Sequence, residues 1–120
     1  MNDEAAIVAV VRDYYEGWYD SDPARMELAL HPALAKRGLE QMLDPERPQI
    51  TTAERMIELT ASGEGESDGA DRRLEISVDD LYRDIASVTV RAAVYHEYIQ
   101  LARTPEGWKI VNVLWQLRQD

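Results

Sequence analysis

The sequence predicts an α+β domain, helices first and an antiparallel sheet after them, and three observations carry that reading. Apolar residues recur at helical spacing through the front half of the chain and at alternating positions through the back half. A polar, acidic stretch, Gly63–Asp71 (GEGESDGAD), separates the two regimes. The closing strand Trp108–Leu117 carries seven apolar residues, and they fall on both alternating sets. A strand with one face in water alternates apolar with polar, so a strand apolar on both sets is expected to be covered on both sides. The body of the domain supplies one cover, and a second copy of the chain is expected to supply the other.

The elements follow in order. Asn2 or Asp3 caps a first helix that runs to about Tyr19, with acidic residues in its first turn where the helix dipole favours them. Ile7, Val11, Tyr14 and Trp18 form its inward stripe, flanked by Val8, Val10 and Tyr15. Asp22-Pro23 opens a second helix, which ends near His31-Pro32 because the residue before a proline disfavours the helical conformation. A short helix or turn is expected through Leu34–Met42. Thr51 with Glu54 reads as a capping box for a third helix, with a stop at Gly63. Gly63–Asp71 itself reads as a solvated connector.

Beyond it Leu74, Ile76 and Val78 alternate with Glu75, Ser77 and Asp79, and a bulge at Asp79-Asp80 accounts for Leu81 breaking the phase. Arg83-Asp84 is a turn. Ile85–Ala93 and Val94–Arg103 are strands, but no Gly, Pro or Asn lies between Ser87 and Arg103, so they are either two strands or one long bent one. Thr104-Pro105-Glu106-Gly107 turns the chain into the last strand. No internal repeat is visible.

A chain of 120 residues makes one domain, residues 1–120, able to bury a core and a small cavity. Its net charge of -10 excludes nucleic acid and anionic lipid as partners, since both need clustered Lys and Arg. The acidic N-terminus does not read as a secretory signal, no apolar run is long enough for a membrane span, and the absence of cysteine suits a reducing cytoplasm. Two histidines without cysteine or a ligand pair at i, i+4 make a metal site a poor expectation. There is no Gly-rich phosphate loop and no nucleophile elbow, so no cofactor is expected.

Four segments carry a resemblance: HPALAKR (His31–Arg37), DIASV (Asp84–Val88), EYIQL (Glu97–Leu101) and GWKIVN (Gly107–Asn112). In this order, after a helix bearing Tyr14 and Trp18, they resemble the putative lumazine-binding family of the nuclear-transport-factor-2-like (SnoaL/ketosteroid-isomerase-like) superfamily. Glu97 departs from the family pattern, which usually has Asp there. The resemblance implies a cone: helices packed over the concave side of a curved sheet, a pocket open at the wide end, and a convex side that pairs with another subunit. The superfamily hosts isomerases, dehydratases, hydrolases, adaptors and catalytically silent members, so fold does not fix function.

Candidate ligand-binding residues are Tyr14, Trp18, His31, Tyr95, Glu97 and Asn112. Tyr14 and Trp18 are either plain core or pocket lining with one donor each. His31 is either a proton shuttle or a cap on its own helix. Glu97, aligned with Ile99 and Leu101, is either a desolvated general base or acid, or a carboxylate near the sheet end, in water or paired with an arginine such as Arg91. On the last strand, Trp108, Ile110 and Asn112 are expected to face the core, which leaves Val111, Val113 and Trp115 for the dimer surface. Of the adjacent Lys36 and Arg37, one is expected to snorkel or pair and the other to be free for an anion. Three functions are open: a homodimeric pocket protein binding a small apolar or aromatic molecule, an isomerase or dehydratase with Glu97 or His31 as proton shuttle, and a non-catalytic dimerisation or adaptor module.

Overall fold

The computed structural model describes residues 2–119. Helix α1 (Asp3–Tyr19) leads into α2 (Pro23–Ala29), strand β1 (Leu30–Gly38), a short α3 (Leu39–Met42) and α4 (Ala53–Ala61). Strands β2 (Leu74–Tyr82), β3 (Ile85–Ala92), β4 (Tyr95–Thr104) and β5 (Gly107–Leu117) complete it. The five strands form one sheet in the order β1-β5-β4-β3-β2. Among the described residues only β1 and β5 pair in parallel; the remaining pairs are antiparallel.

Helix entry follows the expected chemistry. The Asn2 side chain accepts from the Ala5 N–H at 2.8 Å and Asp22 from the Arg25 N–H at 3.1 Å, each such cap contributing about 1 kcal/mol. The cap of α4 is Thr52, which accepts from the Arg55 N–H at 3.2 Å, and not Thr51. Thr51 instead exchanges two backbone hydrogen bonds with Lys36 and extends the sheet edge by one bridge.

The segment from His31 to Arg37 is strand, where the sequence had suggested helix end and turn. Pro32 explains the difference: it ends α2 at Ala29 and favours extended backbone, and the parallel partner β5 holds that conformation through Gly38. His31 therefore does not cap α2. Its Nδ1 accepts from the Ala33 N–H at 3.0 Å.

β2 and β3 form a hairpin whose register slips between Val78 and Asp80, the bulge that Leu81 required. Ile85–Ala92 and Tyr95–Thr104 are two strands, not one, because the chain reverses at Ala93-Val94 and Arg91 pairs with His96. Gly63–Asp71 is not a free connector. Residues Ser67–Ala70 form a 3₁₀ turn, and the segment is seated on the end of α1 by side-chain contacts taken up below.

The last strand corrects the reading of its two apolar sets. Between its pairs with Gln100 and Leu101 the register shifts, so Asn112 pairs with Gln100, Ile110 with Leu101, and Val111 is the extra residue of a bulge. The bulge reverses the phase. Trp108 and Ile110 point to the core before it, and Val113 and Trp115 point to the same side after it. Asn112 and Leu114 are exposed on the convex side, where Asn112 Nδ2 donates to Gln100 Oε1 at 3.1 Å. The strand is thus apolar on one face only. A strand of this kind needs no second copy to cover it, and Val113 and Trp115 do not belong to an outer surface.

The core lies between α1, α2, α4 and the concave side of the sheet, with Ile7, Val11, Met26, Val88, Ile99, Leu101 and Ile110 almost wholly removed from water. Among the described residues no helix is long and apolar enough to cross a membrane.

Candidate functional site

A cavity of about 140 Å³ sits where α1, α4 and the concave sheet diverge. Helix α1 contributes Tyr14, Tyr15 and Trp18, which its 3.6-residue period brings to adjoining faces. β4 contributes Tyr95 and Glu97, two residues apart and so on one side of the sheet. β1 contributes Lys36, and β5 contributes Trp115 by virtue of the bulge at Val111. Met56 and Leu59 of α4 add apolar wall, with Gln41 and Thr51 at the edge. Tyr14, Tyr15, Met56 and Glu97 are buried and form the floor; Trp18, Tyr95 and Trp115 are half-buried and form the mouth.

The floor holds an ion pair. Lys36 Nζ lies 3.5 Å from Glu97 Oε2, and it donates to the Tyr14 hydroxyl at 2.5 Å. The same ammonium stands 5.1 Å from the Tyr14 ring centre and 5.4 Å from that of Trp115, where the ring faces add to its attraction. Glu97 is therefore paired with Lys36 and not with Arg91, which pairs with Glu75 at 3.8 Å. Strand alternation settles the Lys36 and Arg37 pair: Lys36 enters the cavity and Arg37 is exposed on the other side.

Burial, reinforced by the neighbouring Glu97 carboxylate, raises the Tyr14 and Tyr15 hydroxyls well above the usual phenol range, so both are protonated donors. Burial and the same carboxylate push Tyr19 up to about 12. Burial and a hydrogen bond to Asp68 raise Tyr95. Tyr14 and Tyr15 meet edge to face at 5.1 Å, as do Tyr95 and Trp115 at 5.4 Å.

Among the described residues, four polar atoms of the lining residues make no well-formed hydrogen bond: Tyr15 Oη, Gln41 Oε1, Glu97 Oε1 and Trp115 Nε1, although Tyr15 Oη does lie beside the Glu97 carboxylate. Buried polar groups are as a rule satisfied, and each orphan costs about 1–3 kcal/mol. The four residues that carry them line one largely apolar cavity, an arrangement suited to a ring with polar edges.

The structure brings together four of the six candidate ligand residues, Tyr14, Trp18, Tyr95 and Glu97. His31 lies elsewhere, in a shallow groove with Leu28, Pro105 and Lys109, and Asn112 is on the convex side. Neither reaches the cavity. Of the three residues expected at a dimer surface, Trp115 lines the cavity, Val113 is buried in the core and Val111 is half-buried at the bulge. Sequence reasoning missed Tyr15, Gln41, Trp115, Thr51, Met56 and Leu59 as lining. The bulge hid Trp115, and treating the stripe of α1 as narrow hid Tyr15. Among the described residues no three His, Cys, Asp or Glu come together to hold a metal ion.

Residues 2–116 match the model of a family described as "Putative lumazine-binding". Solved structures similar to the chain include a nuclear-transport-factor-2-like protein of unknown function from Silicibacter pomeroyi, at 16% identity and a TM-score of 0.70 over 95% of this chain and 94% of that one. A ketosteroid isomerase-like protein from Erwinia carotovora atroseptica is 20% identical, with a TM-score of 0.70 over 100% of both chains. A nuclear-transport-factor-2-like protein from Cytophaga hutchinsonii is 15% identical, with a TM-score of 0.69 over 98% of this chain and 100% of that one. These likenesses establish the nuclear-transport-factor-2-like fold. No curated protein matches the chain at a significant level.

Proposed function

Because the chain belongs to the putative lumazine-binding family, we propose that it is a pocket protein that holds one small, flat, aromatic molecule in the cavity between α1, α4 and the sheet. The observation that supports this reading is the set of unpartnered polar atoms on an otherwise apolar wall, led by Glu97 Oε1 at a residue only 1% exposed. Apolar cavities of roughly 150 Å³ take up a single benzene-sized ring, which sets the scale of the ligand core at the floor. Glu97 Oε1 accepts from a ring N–H, while Tyr15 Oη donates to a ring carbonyl. Lumazine and a series of smaller cyclic amides, titrated calorimetrically, test it. Saturable one-to-one binding that Glu97→Gln weakens is the expected result; no binding by any member at millimolar concentration removes the reading.

A second reading is favoured by the same carboxylate oxygen. A desolvated Glu97 Oε1 beside protonated tyrosines has the parts of a proton shuttle: the carboxylate takes a proton from a carbon acid while a Tyr hydroxyl stabilises the oxygen of the enolate. Deuterium uptake from solvent into small cyclic ketones, lost in Glu97→Gln, is the expected signature; its absence in the wild type leaves the binding role alone.

We also propose that the chain is a homodimer that works in the cytoplasm. Support for pairing comes from Ile85, Tyr98 and Leu114, which are exposed on the convex sheet face. Sedimentation at micromolar concentration is expected to give twice the chain mass, and Leu114→Lys to give the monomer. A wild-type monomer would remove both the dimer and the adaptor role.

A further inference from the structure

The acidic segment between α4 and β2 is fastened to the end of α1 at four places. Gly65 is buried against Trp18, so closely that a Cβ there would lie 2.3 Å from the Trp18 carbonyl oxygen and 2.7 Å from two atoms of its ring. The Glu66 carboxylate accepts from Ser21 Oγ at 2.8 Å, Gly69 lies against Tyr19, and Arg72 binds Asp20 at 2.6 Å. These contacts hold the 3₁₀ turn in place, and within it Asp68 turns toward the sheet. One of its oxygens, Oδ2, accepts from Trp18 Nε1 at 3.2 Å and also from the Tyr95 hydroxyl.

Trp18 and Tyr95 come from different elements, α1 and β4, and both line the mouth of the cavity. Hydrogen bonds to a carboxylate are stronger than neutral ones, and a shared acceptor fixes the two donors relative to each other. Tyr95 in turn meets Trp115 edge to face, so the constraint runs from Trp18 through Asp68 and Tyr95 to Trp115, around the opening.

We propose that Asp68 is the positioning residue of the cavity mouth: by holding Trp18 and Tyr95 on one carboxylate oxygen it sets the width of the opening and the rate at which a flat ligand enters and leaves. The ligand part of this statement rests on the reading of the cavity as a binding site; the width part does not. Asp68 lies outside the cavity lining and is expected to act on traffic through the mouth more than on the affinity of the floor.

The test compares the wild type with Asp68→Ala and Asp68→Asn and uses two kinds of readout. The first needs no ligand. Solvent exchange of the Trp18 indole N–H, followed by NMR, is expected to accelerate about tenfold or more in Asp68→Ala. The Trp108 indole, whose Nε1 lies 3.4 Å from the Asp3 carboxylate, serves as internal control and is expected to stay unchanged. Acrylamide, a small neutral quencher, is expected to quench the tryptophan fluorescence of Asp68→Ala at least about twice as efficiently as that of the wild type. Unchanged exchange and unchanged quenching overturn the proposal. Should Asp68→Ala fail to fold, Asp68→Asn decides, because its amide oxygen keeps an acceptor without the charge and is expected to give intermediate values.

The second readout is stopped-flow mixing with lumazine. Entry and exit rates are both expected to rise about fivefold or more in Asp68→Ala, with the dissociation constant changing less than either rate. Increased indole exchange with lumazine rates at the wild-type value reduces Asp68 to a structural brace and overturns the proposal. If lumazine does not bind the wild type, the reading of lumazine as ligand fails by itself, and the indole exchange and acrylamide quenching still decide whether Asp68 sets the opening.

Discussion

Lys36 and Glu97 meet across an intervening strand: β1 and β4 are separated by β5, yet Nζ and Oε2 are 3.5 Å apart over its concave side. Both side chains are nearly removed from water, at 11% and 2% exposure. Breaking a buried pair leaves one charge uncompensated, which costs about 3 kcal/mol or more. Glu97→Gln and Lys36→Met are therefore each expected to lower stability by about that amount in urea unfolding. The double variant Lys36→Met, Glu97→Leu is expected to recover most of it, because replacing both partners by apolar groups removes the desolvation cost. Equal, additive losses would mean that the pair is not coupled.

Tyr14 and Tyr15 are neighbours with opposite situations. Tyr14 Oη accepts from Lys36, whereas Tyr15 Oη makes no well-formed hydrogen bond and only lies beside the Glu97 carboxylate. Tyr15→Phe is expected to leave stability unchanged or raise it by about 1 kcal/mol, and Tyr14→Phe to lower it by about 1–2 kcal/mol. Thermal unfolding of the two variants side by side checks this. If Tyr15 serves a ligand, Tyr15→Phe keeps its stability and loses binding.

Alkaline pH gives a third expectation. The hydroxyls of Tyr14, Tyr15 and Tyr19 titrate higher in the fold than in the unfolded chain, because burial and then the Glu97 carboxylate oppose their ionisation. A group raised in the fold contributes stability that is complete below its unfolded value, about 10 for tyrosine, and is lost as pH climbs toward its folded value. Stability is thus expected to hold up to about pH 10 and then to fall by as much as about 1.4 kcal/mol per pH unit per tyrosine. Denaturant midpoints across that range measure it. A Tyr15→Phe chain is expected to fall less steeply, and identical slopes would contradict the burial of that hydroxyl.

Gly38 of β1 packs against the Trp115 wall of the cavity. A Cβ there would lie 2.8 Å from two ring atoms of Trp115, while its φ of -106° is open to any residue. The effect of Gly38→Ala is therefore steric: Trp115 must swing away, at a cost of about 1–3 kcal/mol. A red-shifted tryptophan emission and weaker binding of the cyclic amides are the expected readouts. An unshifted spectrum would show that the wall absorbs the methyl group.

The sequence made some of this site readable and concealed the rest for identifiable reasons. Tyr14, Trp18, Tyr95 and Glu97 were legible because each sits in an unbroken period, helical in α1 and alternating in β4. Lys36 was ambiguous because Pro32 pointed to the end of a helix, and only pairing with β5 reveals the strand that sends Lys36 inward and Arg37 out. The contacts of Asp68 are not legible in the sequence. Its segment has the composition of a solvated loop, and nothing local announces that a tryptophan fifty positions earlier and a tyrosine twenty-seven later converge on it. Asn112 and Trp115 exchanged places because a single unpaired residue changes the parity of everything after it.

That change of parity has a chemical outcome. Had β5 kept strict alternation past Ile110, the indole at 115 would stand in solvent and the amide at 112 would face the interior. The chamber would then have one aromatic wall fewer, and Lys36 would lack the second ring face that steadies its charge. One surplus link in the backbone, Val111, thus decides whether this cone encloses a chamber walled by aromatic rings or merely a polar dent.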